Sequence, residues 1–186
     1  RGERLEYRAN ASFGDTYGVM KGDNRRNLGV NFSMNYHLRN KLTLSYKSSF
    51  SLNRSVDSPY GSYTQYSSMN PYLPIADENG EYYKYYYFNP YSTSSTRVSN
   101  PLYEATLSSF SKSQSQSWRN SLSGRWNITR ELYVTGQANL GLSWNKSDSY
   151  ESPDMAKYES SKLNDKGRYS LSTGTGVSTD GKIVIN

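Results

Sequence analysis

The chain has 186 residues, no cysteine and a single histidine, His37. That excludes a disulfide framework, a thiolate zinc site and a papain-type nucleophile. Leu, Ile, Val and Phe are scarce: together they make up about 17% of the chain, under the ~20% level below which disorder is expected. No apolar run approaches the ~18 residues of a transmembrane helix. The first ten residues are polar throughout, so no secretory leader is read there. Aromatic residues, by contrast, reach 15%, with nineteen tyrosines. Disordered chains rarely carry that load. A polar, aromatic-rich chain that folds points to a sheet apolar on one face only.

Alternation with a period of two supplies the pattern. Leu5, Tyr7, Ala9, Ala11 and Phe13 alternate with Glu6, Arg8, Asn10 and Ser12. Leu28, Val30, Phe32, Met34, Tyr36 and Leu38 follow, then Leu42, Leu44, Tyr46, Phe50 and Leu52 after a turn at 39–41. Downstream come Trp118, Leu122, Trp126 and Ile128, then Leu132, Val134, Ala138, Leu140, Leu142 and Trp144 after a turn at 129–131. A sixth strand reads Tyr169, Leu171, Thr173, Thr175 and Val177, and Thr179-Asp180-Gly181 is expected to turn into a seventh.

These strands run to about eleven to thirteen residues, against ~5–6 in soluble sheets and about nine to eleven for a tilted membrane-crossing strand. Tight turns at 39–41, 129–131 and 179–181 alternate with long loops at 14–26, 55–115 and 146–167. No segment reads as an amphipathic helix to cover the apolar face. Together these features predict an all-β, antiparallel transmembrane β-barrel segment of about seven long strands, with short periplasmic turns and long extracellular loops. Trp118, Trp126, Trp144 and Tyr36 are expected near strand ends, as an aromatic girdle. Seven strands do not close a barrel, so residues 1–186 are expected to be part of a larger one. Arg8, Lys47, Arg119 and Arg125 fall on the polar face and are expected to point into the lumen.

Residues 55–115 hold eleven of the nineteen tyrosines. Asn-Pro occurs at 70–71, 89–90 and 100–101, and Asn79-Gly80 signals a tight turn. Proline should keep this stretch from extending the sheet, giving a folded surface loop, not a strand pair. Most of the rings are expected to pack within the loop, with a minority left to meet ligand. Asp77-Glu78-Asn79-Gly80-Glu81 lacks the spaced oxygens of a calcium loop and reads as a turn.

Three runs carry a family likeness: Ser58-Pro59-Tyr60-Gly61-Ser62-Tyr63, Met69-Asn70-Pro71-Tyr72-Leu73-Pro74 and Asp77-Glu78-Asn79-Gly80. Asn100-Pro101-Leu102-Tyr103, Arg125-Trp126-Asn127-Ile128, Glu131-Leu132-Tyr133 and Lys166-Gly167-Arg168-Tyr169 continue it. In this order the set resembles the SusC/RagA-like TonB-dependent transporters. The resemblance implies a twenty-two-stranded outer-membrane barrel of a Gram-negative bacterium, plugged by an N-terminal domain. Such a barrel imports oligosaccharides or peptides beneath a SusD-like surface lipoprotein, with energy from TonB. These residues include no TonB box, plug or signal peptide, so they would supply wall and external loops. Substrate or lid contacts are expected from Tyr60, Tyr63, Tyr66, Tyr72, Tyr82 and Tyr85, in the loop 56–103.

The net charge of +6 invites a nucleic-acid reading. Its placement argues for no nucleic acid: Lys21, Arg25, Arg26, Lys146, Lys157, Lys162, Lys166 and Arg168 lie in or beside the long loops. Lipopolysaccharide phosphates would meet them there. No catalytic residues, metal ligands or cofactors are expected. His37 has no Ser/Asp partner pattern, and nothing fixes the geometry of Glu78 and Glu81. The rival readings are a free-standing carbohydrate-binding or adhesin-like β-domain, which should fold in plain buffer, and a passive porin-like channel.

Overall fold

The computed structural model describes residues 4–39, 41–87, 98–159 and 167–185. Three long strands come first: β1 (Arg4–Tyr17), β2 (Asn24–Leu38) and β3 (Leu42–Val56). A long connection follows, holding α1 (Tyr63–Ser67), β4 (Tyr85–Tyr87), β5 (Val98–Ser99) and α2 (Pro101–Glu104). Then come β6 (Phe110–Asn127), β7 (Tyr133–Glu151), the short α3 (Ala156–Glu159) and β8 (Arg168–Ile185). The six long strands form one antiparallel sheet in the order β1-β2-β3-β6-β7-β8, and β4 pairs with β5 in a small second sheet. The large sheet is open, with β1 and β8 at its edges.

Several expectations need correction. The main sheet has six long strands, not seven, because no turn forms at 179–181: β8 runs straight through. Its phase explains why. Val177, Thr179, Gly181, Ile183 and Ile185 share one face without a break, and Asp180 on the other accepts a hydrogen bond from Asn139 Nδ2 at 2.8 Å. The strands are also longer than the apolar alternation marks, at 14 to 19 residues. The loop expected at 14–26 shrinks to 18–23, because Asp15 holds the strand extensions together. It accepts from Asn24 Nδ2 at 2.6 Å and pairs with Arg26 at 3.2 Å. The other two connections narrow to 57–109 and 152–167. The long connection also contains strand pairing after all, in β4–β5 and in an Ala76–Tyr82 bridge. Asn40, Asn89-Pro90, Lys162 and Lys166 lie outside the described residues.

The tight connections at 39–41 and 129–131 do form, as does the turn at Asn79-Gly80. At 39–41, Arg39 takes the left-handed conformation (φ 49°) and Lys41 N–H donates to Leu38 O at 3.2 Å. At Asn79-Gly80, Asp77 Oδ1 accepts from the Asn79 and Glu81 amides, and Gly80 has φ 84°. Gly167, just before β8, has φ 88°, and a Cβ there would lie 3.0 Å from Glu151 O. Only glycine suits that position.

The strand pairing aligns the faces in rows. On the apolar face, one border row reads Leu38–Leu42–Trp126–Val134–Ile185. Five rows on, the other border reads Phe13–Leu28–Leu52–Gln116–Trp144–Thr175. The next row is Asp15–Arg26–Arg54–Gln114–Lys146–Thr173, so an apolar band ends on a charged and polar line across all six strands. Trp126 and Trp144 stand in the border rows; Tyr36 and Trp118 stand one row inside them. In strand terms Trp118 and Trp144 are therefore not terminal, because the strands continue past the band.

Polar atoms within the band satisfy one another. Tyr46 O–H donates to Asn120 Oδ1 at 2.8 Å, and Trp118 Nε1–H to Ser48 Oγ at 2.9 Å. No described element covers this face. Val177, Ile183 and Ile185 are each about 70% exposed or more, and Ala156 is the one buried hydrophobic residue among those described. The accessible surface is 13970 Å², against about 9,100 Å² expected of a compact 21.2 kDa monomer.

Candidate functional site

The opposite face is built from Ser, Thr, Asn, Gln and Gly with a few cations among them. Register brings three of the four cations expected in the lumen to one level. Arg8 and Lys47 share the row Arg8–Ser33–Lys47–Ser121–Asn139–Asp180. Arg119 stands in the adjacent row Asn10–Asn31–Ser49–Arg119–Gly141–Ser178. All three line one concavity of about 500 Å³. Residues of both edge strands, Arg8 of β1 and Asp180 of β8, line that same space, so the sheet curls toward its polar face. Arg125 lies apart, in a neighbouring hollow of about 410 Å³ with Lys182. Its guanidinium sits 4.1 Å over the Tyr133 ring, and Nε donates to Asn127 Oδ1 at 3.1 Å. Arg125 is thus held by the strand ends. His37 is engaged too, with Nδ1 3.2 Å from Thr43 Oγ1.

The long connection is organised by Asn100, which is fully buried. Its Nδ2 donates to Ile75 O at 3.0 Å and to Tyr83 O at 2.8 Å, while Oδ1 accepts from Leu102 N–H at 3.1 Å. One side chain thereby caps α2 and ties it to the 75–84 hairpin. Pro101 follows at the first helical position, where its missing N–H costs nothing. Asn100-Pro101 was expected only to keep this stretch out of the sheet; the Asn-then-Pro order is also the mark of a cap. At the start of the connection, Ser58 Oγ donates to Lys21 O at 2.8 Å, which clamps it to the β1–β2 loop.

The six tyrosines expected to meet substrate or lid are placed differently from one another. Tyr63, Tyr66, Tyr72 and Tyr82 are exposed, Tyr72 to 92%. Tyr63 borders a cleft of about 530 Å³ with Val19, Met20 and Asp23. Tyr60 is half-buried. Tyr85 is a structural tie: its O–H reaches Glu159 Oε2 at 2.7 Å and Ala156 O at 3.2 Å, linking two loops. Tyr83, absent from the expected set, is exposed as well. Among the described residues no ring pair joins Tyr60, Tyr63, Tyr66, Tyr72 or Tyr82. Of the eight loop tyrosines whose side chains are described, Tyr63, Tyr66, Tyr72, Tyr82 and Tyr83 are exposed and Tyr60, Tyr85 and Tyr103 half-buried. Tyr86, Tyr87 and Tyr91 lie outside that description as side chains.

Charge in the loops is mostly spent locally. Lys84 pairs with Glu159 at 3.1 Å. Burial works to lower the Lys84 pKa, but the hydrogen bond and charge of Glu159, with Tyr85 and Tyr103, hold it above its ordinary value. Burial pushes the Glu104 carboxyl up, against a hydrogen bond from the Ala156 amide and the charge of Lys157. Of the cations expected in or beside the long loops, Arg25 and Arg26 lie at the start of β2, Lys146 in β7, Lys157 in α3, and Arg168 opens β8. Among the described residues no cluster of three potential metal ligands occurs.

Fold and site together define an all-β chain whose open antiparallel sheet carries one uncovered apolar face and one polar, cation-bearing concave face. No protein-family model matches the chain, and no curated protein is similar to it.

Proposed function

We propose that this chain is a sector of the wall of an outer-membrane β-barrel, with external loops, in a SusC/RagA-like TonB-dependent importer of oligosaccharides or peptides. The carrying observation is the uncovered apolar band that ends in register on a charged row. Ten residue steps separate Leu42 from Leu52, about 34 Å along the strand and about 26 Å along the normal of a strand tilted ~40°. That matches the ~25 Å apolar belt of outer-membrane barrels. The border-row Trp126 and Trp144 sit where an aromatic girdle belongs. In this reading the polar concave face lines the lumen, and β1 and β8 pair with further strands. The long connection, with its exposed tyrosines, meets cargo and a SusD-like lipoprotein lid. Outer-face cations above the band meet lipopolysaccharide phosphates, while TonB acts through a plug. The motif order quoted above is what favours this importer over a passive channel.

An antibody against residues 56–103 is used on fractionated cells, with samples boiled and unboiled. The expected result is an outer-membrane polypeptide on the order of 100 kDa whose mobility changes on heating. A soluble 21.2 kDa species would overturn the reading. The exposed tyrosines would then favour a free-standing carbohydrate-binding domain.

A further inference from the structure

We propose that the polar concave face recognises anionic cargo, an oligomeric solute bearing carboxylate or sulfate groups. This rests on the wall reading above and names the substrate class of that same face. Arg8 and Lys47 stand two strands apart in one row, about 10 Å between backbones, and Arg119 lies one strand and one row further, about 7 Å along. All three are exposed toward one concavity of about 500 Å³.

Several other cations of the sheet have partners: Arg4 has Glu6 at 2.7 Å, Arg26 has Asp15, and Arg125 has Tyr133 and Asn127. Among the described residues, Arg8, Lys47 and Arg119 have neither ion pair nor side-chain hydrogen bond. The concavity also holds one carboxylate, Asp180, which accepts from Asn139 Nδ2, so three cations stand there against one anion. The remaining positions in these two rows are Ser, Asn and Gly. They supply donors for anion oxygens and are too short to screen the charges. Arg and Lys lining a pore favour anions, and guanidinium groups take carboxylate or sulfate in bidentate fashion. An uncharged oligomer would use the hydroxyls and amides but would leave three unpaired cations unused.

The test purifies, in detergent, the whole outer-membrane polypeptide that carries this chain and titrates it with a heparin-derived hexasaccharide, with maltohexaose as the uncharged control. The sulfated probe is expected to bind in preference to maltohexaose and to weaken steeply near 0.5 M salt, where the screening length is about 4 Å. R8Q/K47Q/R119Q is expected to weaken binding about tenfold or more. K41Q/R54Q/K112Q, which removes as much charge elsewhere, should leave it within about twofold. If the concave-face triple fails to fold, R119Q alone should still weaken binding about threefold. Equal losses in the two triples, or equal binding of the two hexasaccharides, would overturn the proposal. Recovery of the chain as a soluble 21.2 kDa species would instead overturn the wall reading, and this one with it.

Discussion

At the scale of single residues, the side chains holding the long connection together differ from those that meet solvent. Asn100 is buried, and every polar group of its side chain is used. N100A leaves Ile75 O, Tyr83 O and the Leu102 amide without this partner, and should cost the loop about 2–4 kcal/mol. Hydrogen exchange should then rise over 75–87 and 98–104 while the ladder of β6 and β7 stays protected. Glu104 gives a pH signature. Its carboxyl pKa is raised on folding, so the folded loop binds that proton more tightly than the unfolded chain. Its stabilising effect is complete below the ordinary carboxyl range and is lost as pH rises through the folded value. At neutral pH the buried charge is therefore a cost. E104Q, which keeps an acceptor for the Ala156 amide, is expected to slow loop exchange at pH 7 and to make little difference near pH 4. Part of this was legible: proline marked a stretch that leaves the main sheet, and tyrosine density marked a surface loop. That Asn100 reaches carbonyls as far back as Ile75, and that Tyr85 ties loops while Tyr72 stands free, depends on tertiary contacts that residue spacing does not carry.

At the scale of strands, phase was the reliable signal and length was not. Alternation assigned Arg8, Lys47 and Arg119 to one face, and strand pairing then brought them to adjacent rows. Strand ends differ from the expectation because the first row beyond the band, Asp15–Arg26–Arg54–Gln114–Lys146–Thr173, is polar throughout, so alternation is interrupted there. Thr179-Asp180-Gly181 was misread because its turn composition outweighed an unbroken phase. The two faces predict opposite tolerances. Leu140 lies in a central row of the band, so L140R should destabilise the inserted form by about 2–4 kcal/mol. S121R, on the concave face at nearly the same depth, should cost less than about 1 kcal/mol. Urea midpoints of refolding into lipid vesicles distinguish the two.

At the scale of the molecule, the surface area identifies a sheet without a second layer, and the open edges of β1 and β8 add unpaired backbone to it. In plain buffer the chain is therefore expected to sediment as aggregate, and detergent above its micellar threshold should convert it to a discrete β-rich species by circular dichroism. Strand order has a further consequence, one of assembly. Strands β1–β3 and β6–β8 are each hairpin stacks with two local ladders, and only the β3–β6 ladder, spanned by the longest connection, joins them. A closing contact at its mouth, Asp57 N–H to Ser111 O at 3.0 Å, sets the register of that seam. The chain is in effect two three-stranded modules sharing one zipper. Each half can form along its own contour before the two meet, and the halves expressed as separate polypeptides should find each other through that single shared edge.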